Sequence, residues 1–251
     1  MSCYIKVHDD AKTALTAMKA ARLYLKSASY FYQVSRNIND TWQDNLTDAF
    51  HCYKIAIDLY TKNNQGSLAI FILLELAKNE MDFELFRHSG ETYEEACHMI
   101  ILQKMPIDQV FEPLFNTVEA YAKSARYDLA YKAIEKVTSK FTPAIIEEIH
   151  QSPIATRQYD DLTILKAELL LLQFKYDDCL QFSNENLNPE VFQLFVCLCD
   201  SSRKYKTSEF DAYFSDAKSQ EYFNQLEVYL LELHLSELSK SSEAVYSTTL
   251  Q

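Results

Sequence analysis

The chain has 251 residues, of which only two are glycine and five are proline, and its formal net charge is −12. Because sheet proteins use glycine and proline in their tight turns, this shortage argues against a β-rich fold and predicts helices joined by short polar links. The acidic balance argues against nucleic acid or an anionic membrane as the main partner, since both require clustered lysine and arginine.

Apolar residues recur every three to four positions, which predicts about ten helices arranged in antiparallel pairs. The first helix, residues 11–35, has one face that we expect to be buried, formed by Leu15, Met18, Ala21, Leu25 and Ala28. The other predicted helices lie at about 42–62, 67–79, 82–103, 107–124, 127–139, 159–174, 176–185, 190–204, 208–217 and 219–240.

We interpret residues 1–251 as a single helical-repeat domain. Gly66 follows a polar stretch and is expected to end the second helix, because glycine readily takes the left-handed conformation found at helix C-termini. Residues 141–158 contain two prolines, so we interpret them as the main irregular connection. Residues 241–251 are rich in serine and threonine and predict a flexible tail.

The segment "YAKSARYDLAYKAIEKV", residues 121–137, resembles half of a tetratricopeptide pair, in which small and aromatic residues recur because two helices cross closely. The segment "FKYDDCLQFSNENLNPE" carries a similar pattern further along the chain. The residues assigned to helix packing by this register are Leu114, Tyr121, Tyr127, Ala130, Ile134, Val137, Tyr176 and Cys179. The pattern favours a degenerate, tetratricopeptide-like α-solenoid, and an ordinary bundle of amphipathic helices is the alternative.

The sequence contains no phosphate-binding loop, dinucleotide fingerprint or nucleophile elbow. Cys197 and Cys199 are two residues apart, so a helix points them in different directions, and no second pair has zinc spacing. We therefore expect no catalytic residue, no cofactor and no metal, and we interpret the chain as a non-enzyme. The scattered cysteines and the absence of signal-peptide or membrane-spanning patterns predict a cytoplasmic protein without direct membrane insertion.

The last part of the chain is the most acidic. Residues 207–251 carry eight acidic side chains and two lysines, so half of the net charge lies in under a fifth of the chain. One interpretation is an acidic partner-binding surface made by Glu221, Glu227, Glu232, Glu237 and Glu243. The other is a solvated outer face, and the five-residue spacing of the middle three glutamates spreads them around the helix, which weakens the first interpretation.

The order of several segments resembles the forty-kilodalton huntingtin-associated protein family, also called the factor VIII intron-encoded protein. The segments are "AARLYLKSA", "AFHCYKIAIDLYTKNNQGSLAIFILLELA", "SGETYEEACHMIILQ", "EAYAKSARYDLAYKAIEKV", "SPIATRQYDDLTILKAELLLLQ" and "YFNQLEVYLLELHLSE". The similarity runs from about Thr13 to Ser236. It lies in the order of the segments, and no single motif is diagnostic.

The resemblance implies a non-catalytic scaffold that binds huntingtin one to one, between its HEAT arrays and its bridge region, and stabilises their arrangement. It also implies a link to early endosomes and vesicle motility through a Rab-type GTPase. The implied location is the cytoplasm, partly on early endosomes, and a nuclear pool is compatible with it.

Two other binding functions are open at this point. A SNAP-like membrane-fusion adaptor is also an acidic solenoid of helical hairpins, and it requires affinity for a SNARE bundle. A chaperone-binding repeat protein holds a peptide carboxylate with lysine, arginine and asparagine along a concave face, and no such pattern is visible in the linear sequence.

Overall fold

The computed structural model describes residues 10–34, 41–219 and 223–249, and these residues form helices joined by short turns, with no strand among them. The helices are α1 (Asp10–Val34), α2 (Thr41–Lys62), α3 (Gly66–Asp82), α4 (Phe86–Leu102), α5 (Asp108–Lys123), α6 (Tyr127–Thr138), α7 (Pro143–Gln151), α8 (Pro153–Leu172), α9 (Tyr176–Asn186), α10 (Pro189–Arg203), α11 (Thr207–Ser219) and α12 (Gln225–Thr249). Neighbouring helices pack as antiparallel pairs, which confirms the all-α prediction. Among the described helices, none combines the length and the apolar character that crossing a bilayer requires.

The chain divides into two compact units, Met1–Pro106 and Ile107–Gln251. The prediction of one domain over the whole chain does not anticipate this division. In the first unit, α1 packs on α2, α2 on α3 and α3 on α4. In the second unit, α8 is the central helix and contacts α5, α6, α7, α9 and α12. This position suits α8, because the four leucines at 169–172 are all buried and a centrally packed helix is apolar on most sides.

A stripe of alanines forms the buried face of α1. Ala14, Ala17 and Ala21 are fully buried against a cluster that includes Tyr53 of α2. Small side chains allow two helix axes to approach closely, so the contact selects alanine. The predicted burial of Leu15 is wrong: its side chain is 41% exposed, because the buried stripe follows the alanines and the larger residue lies outside it.

Among the described helices, six are followed by a left-handed residue that is not glycine. The φ angles of these residues lie between 52° and 61°, and the residues are Asn64, Glu84, Lys104, Ala125, Phe174 and Tyr205. At each turn, the residue after the left-handed one donates its N–H to the carbonyl of the residue five positions before it. Arg126 N, for example, donates to Tyr121 O at 2.8 Å. This Schellman geometry satisfies helix-end carbonyls, and it offsets the cost of about 1–2 kcal/mol for a left-handed L-residue.

Four of the six turns share a second feature, a small residue five positions after the left-handed one. These residues are fully buried: Ala69, Ser89, Ala130 and Cys179. Two of them donate a hydrogen bond to the carbonyl twelve residues earlier, on the preceding helix. Ser89 Oγ lies 2.8 Å from Ala77 O, and Cys179 Sγ lies 3.3 Å from Ala167 O. The same local hairpin therefore recurs although its sequence does not.

The segment 141–158 is not the predicted irregular connection. It contains α7 and the start of α8, and Pro143 and Pro153 are the first residues of these helices. Proline fits this position because its missing N–H has no partner within the helix in any case. Thr142 and Ser152 cap the two helices, since each hydroxyl accepts a hydrogen bond from the N–H three residues on.

Gly66 and the C-terminal residues also differ from the predictions. Gly66 begins α3, and Asn64 is the left-handed residue that follows α2. A Cβ at Gly66 would lie 2.4 Å from the side chain of Gln103, so the glycine makes room for that side chain. The predicted tail, 241–251, is helical up to Thr249.

Replacing Ala125 by glycine tests the turn geometry. Glycine takes the left-handed region without a Cβ clash, so we expect Ala125→Gly to raise the free energy of unfolding by about 0.5–1 kcal/mol. The matched control is Ala212→Gly, an exposed position inside α11, where glycine should lower it by about 1 kcal/mol. Urea melts of both variants measure the difference, and a loss of stability in both would contradict the assigned conformation of Ala125.

Candidate functional site

The residues that the repeat register assigns to helix packing lie in the second unit. Six of them are buried: Leu114, Tyr121, Ala130, Ile134, Val137 and Cys179. Tyr127 and Tyr176 are partly exposed, and each is the first residue of its helix, two positions after a left-handed residue. The register therefore places the two tyrosines at equivalent points of two hairpins. Tyr176 packs against the core cluster of the second unit, whereas the packing role of Tyr127 stays a prediction.

Glu227 does not belong to the predicted acidic surface, because its side chain is only 1% exposed. It forms a capping box with Asn224 at the start of α12. The Asn224 side chain accepts from the N–H of Glu227 at 3.0 Å, and Glu227 Oε2 accepts from the N–H of Asn224 at 2.7 Å. The signal that predicts this position was present in the sequence as Asn-x-x-Glu.

Two other glutamates of the predicted surface are exposed but already paired. Glu232 accepts from Lys218 at 3.0 Å, and Glu237 accepts from Lys240 at 2.7 Å. Glu221 and the side chain of Glu243 lie outside the described residues. The described part of this surface is therefore less negative than the residue count suggests.

Several carboxylates in the structure are buried. Glu168 of α8 is fully buried, and neither of its oxygens has a hydrogen-bond partner among the described residues. Burial, reinforced by Glu227, raises the pKa of Glu168 well above its usual value. Burial also raises the pKa of Glu227 to about 8 and that of Glu80, in the first unit, to about 7. These groups hold protons that exposed glutamates would lose.

Ser202 and His234 form a buried pair that resembles a nucleophile and its base. Ser202 Oγ lies 3.0 Å from His234 Nε2, but it donates its proton to Leu198 O at 2.7 Å. The imidazole must therefore donate to the serine and cannot accept its proton. Burial lowers the pKa of His234 to about 4, which keeps the ring neutral. The contact is that of a neutral core histidine, whose Nδ1 has no hydrogen-bond partner among the described residues.

An open cavity of about 700 Å³ lies between α1 and α3 in the first unit. Arg22 and Lys26 of α1 line one side, Glu75 and Lys78 of α3 line the other, and Tyr53 of α2 lies at its base. In a chain of net charge −12, this is a place where cationic side chains meet. It is therefore the candidate binding site of the first unit.

A charged network fixes one wall of this cavity. Arg22 donates two hydrogen bonds to Glu75, at 2.7 Å and 2.6 Å, and Tyr53 Oη donates to the same carboxylate at 2.7 Å. The guanidinium holds the pKa of Glu75 below its usual value. Bidentate pairing and the buried tyrosine orient the guanidinium, while the Arg22 side chain remains 46% exposed to the cavity side and solvent.

Aromatic side chains close one end of the cavity. Tyr32 and Phe83 line it, and their ring centroids are 5.5 Å apart in an edge-to-face contact. Trp42 stacks on Phe83 with an interplanar angle of 6° and also meets Tyr32 edge-on at 5.1 Å. Edge-to-face and stacked contacts of this kind are favourable, so the three rings support one another at this end of the cavity.

A second cavity, of about 750 Å³, lies in the second unit between α5, α8 and the start of α12. Its lysine, Lys123, is bonded to Glu119 at 2.8 Å. Asp161, which also lines it, has a pKa raised by burial. This cavity presents less free charge than the first.

The cationic cavity was missed by the sequence analysis because its residues are about fifty positions apart and belong to two helices. Each half is visible in the sequence as a polar stripe at helical spacing. Arg22, Lys26 and Ser29 form one stripe, and Glu75, Lys78 and further polar residues form the other. Only the placement of α1 and α3 against α2, with the Arg22–Glu75 contact joining them, shows that the two stripes face one cavity.

Comparisons with known proteins do not assign the chain to a family. No protein-family model matches the chain, and a search of curated proteins found no significant match.

Replacing Glu227 by glutamine tests the buried carboxylates. The folded-state pKa of about 8 lies above the usual value of about 4.5, so this residue favours folding at low pH and that contribution is lost as pH rises from about 4.5 to 8. Glutamine keeps the capping box without the charge. We expect Glu227→Gln to be as stable as the parent at pH 5 and more stable by about 1 kcal/mol or more at pH 8.5.

The control is Glu112→Gln, which removes an exposed carboxylate of α5 in the same unit. Urea melts at pH 5, 7 and 8.5 should show the same pH dependence in this control as in the parent. Equal stability of Glu227→Gln and the parent at pH 8.5 would show that the Glu227 carboxyl is not held protonated.

Proposed function

We propose that the chain is a non-catalytic scaffold that binds another protein through exposed apolar side chains. The observation that carries this proposal is on α1, where Leu23 is 70% exposed and Tyr30 is 62% exposed. They are seven residues apart, so they lie on one face of the helix. Leu68 and Phe71 of α3 are also exposed, at 46% and 57%. Aromatic and large aliphatic side chains in such exposed positions are typical of protein interfaces.

We propose further that the helix pairs stack as a degenerate, tetratricopeptide-like solenoid within each unit. The recurring left-handed turn and the buried small residue that follows it support this arrangement. In such stacks each hairpin buries its apolar face against its neighbours.

Huntingtin is the partner that we propose, in a one-to-one complex between its HEAT arrays and its bridge region. The support is the ordered sequence resemblance over about residues 13–236. The same resemblance supports a cytoplasmic scaffold that contacts a Rab-type GTPase on early endosomes and acts in vesicle motility. A SNAP-like fusion adaptor, or another tetratricopeptide-type binding protein, is the alternative function.

Co-expression with huntingtin tests the proposal. We expect the two proteins to elute from size exclusion as one complex at micromolar concentration, because a permanent interface of this kind can bury several thousand Å². Assembled SNARE bundles serve as the comparison in a parallel pull-down. Two separate peaks with huntingtin, together with retention on SNAREs, would favour the alternative.

Two double variants test which surface binds huntingtin. We expect Leu23→Ser with Tyr30→Ser to weaken the complex at least tenfold, since both side chains are exposed and their loss removes apolar contact area. The matched variant is Glu232→Lys with Glu237→Lys, which should change affinity less than threefold because both glutamates are already paired. The reverse result, with strong salt dependence lost in the second variant, would assign binding to the acidic surface instead.

A further inference from the structure

Residue spacing extends the two cavity-lining faces of α1 and α3 toward the N-terminal ends of these helices, and the strip between the two extended faces is called the groove. On α1, Leu15, Arg22 and Lys26 follow one another at intervals of seven and four residues. On α3, Leu68, Phe71, Glu75 and Lys78 follow at intervals of three and four residues. Both spacings keep the residues on one face of their helix.

The Arg22–Glu75 contact fixes how the two faces align. Since α2 is antiparallel to both neighbours, α1 and α3 run parallel, and residues equally far before Arg22 and Glu75 lie at the same level. Leu15 and Leu68 are each seven residues before the pair, and Phe71 is four before. The groove therefore has an apolar end at these three residues and a cationic end at the cavity.

The cationic end has charge available for a ligand. Lys26 and Lys78 line the cavity and are exposed, and neither has an ion-pair partner within the described part of the first unit. Arg22 donates two of its five N–H groups to Glu75. Asp82 also lines the cavity, so the charged residues among its described lining are three cations and two carboxylates, of which Glu75 is neutralised by Arg22. This described lining therefore carries more positive than negative charge, although the net charge of the chain is negative.

We propose that this groove binds an extended acidic segment of a partner protein, with carboxylates at Lys26 and Lys78 and a bulky apolar side chain at Leu68 and Phe71. Phe71 and Lys78 are seven residues apart, or about 10 Å along the helix. An extended chain covers that distance in about three residues. The segment therefore carries its apolar residue about three positions from its acidic cluster.

This inference rests on the proposed role as a binding protein, but it does not depend on huntingtin being the partner. Leu23 and Tyr30 do not line the cavity, but Lys26 lies within one helical turn of each of them on α1. Lys78 lies on α3, so the single variant Lys78→Glu tests the groove without changing the Leu23 and Tyr30 face of α1.

Fluorescence anisotropy with a labelled heptapeptide, Leu-Leu-Ser-Ser-Glu-Glu-Glu, tests the groove in the full chain. Its reversed sequence serves as a second probe, because the groove does not dictate chain direction. We expect saturable binding of at least one of them that weakens as salt rises. The matched peptide with glutamine in place of glutamate should bind at least tenfold more weakly.

Two pairs of lysine variants locate the binding. Lys26→Glu with Lys78→Glu should weaken peptide binding at least tenfold. Lys62→Glu with Lys104→Glu changes the net charge equally at exposed positions of the same unit outside the cavity, and it should leave affinity within twofold of the parent. Leu68→Ser with Phe71→Ser should weaken binding at the apolar end. If the charge reversal unfolds the chain, as judged by circular dichroism, Lys26→Ala with Lys78→Ala replaces it.

Several outcomes would overturn the proposal. One is that neither peptide binds saturably. Another is that the glutamine peptide binds as tightly as the glutamate peptide, and a third is that both lysine double variants lose the same amount of peptide affinity.

Huntingtin co-elution is measured with the same variants. A complex that survives Lys26→Glu with Lys78→Glu while peptide binding is lost supports two independent surfaces. Failure of the huntingtin complex leaves the peptide titration as a separate result.

Discussion

Close contact between helices, made possible by small buried residues, is the constraint on which the rest of the structure depends. In the first unit the alanine stripe of α1 brings that helix against α2, and Ala69 and Ser89 serve α3 and α4 in the same way. In the second unit Ala130 and Cys179 occupy the corresponding points of α6 and α9. Close contact leaves little space for larger side chains, so the bulky apolar residues of α1 and α3 that are not in the core face solvent. The exposed surface that supports the binding proposal is thus a consequence of how the core is packed.

The helical periodicity was enough to predict an all-α chain, because a helix that buries one face has apolar residues every three to four positions in its sequence. It failed for Leu15, since periodicity gives the direction of a face to within about one residue and does not say how closely two axes approach. It also failed at Pro143 and Pro153. A proline that starts a helix and a proline in an irregular segment look alike unless the preceding capping residue is considered.

The candidate site was less predictable than the fold. The acidic surface was inferred from composition, and composition does not distinguish Glu227, which caps its own helix, from Glu232, which pairs with a lysine of the preceding helix. The groove of the first unit depends on which helices lie side by side. Tertiary contacts determine which helices become neighbours, and the local spacing of residues in the sequence does not predict it.

The left-handed turns have a consequence for what the hairpins present to their surroundings. A glycine would make each turn easier to form, but it would leave a bare backbone at the tip. Phe174 and Tyr205 are each 44% exposed at such tips, and both line a cavity of about 380 Å³ beside Arg203. Each non-glycine turn thus has a modest conformational strain. It also places a side chain at a defined position at the tip of the hairpin. A family built on such turns can change the chemistry at its tips, one residue at a time, without altering its helices.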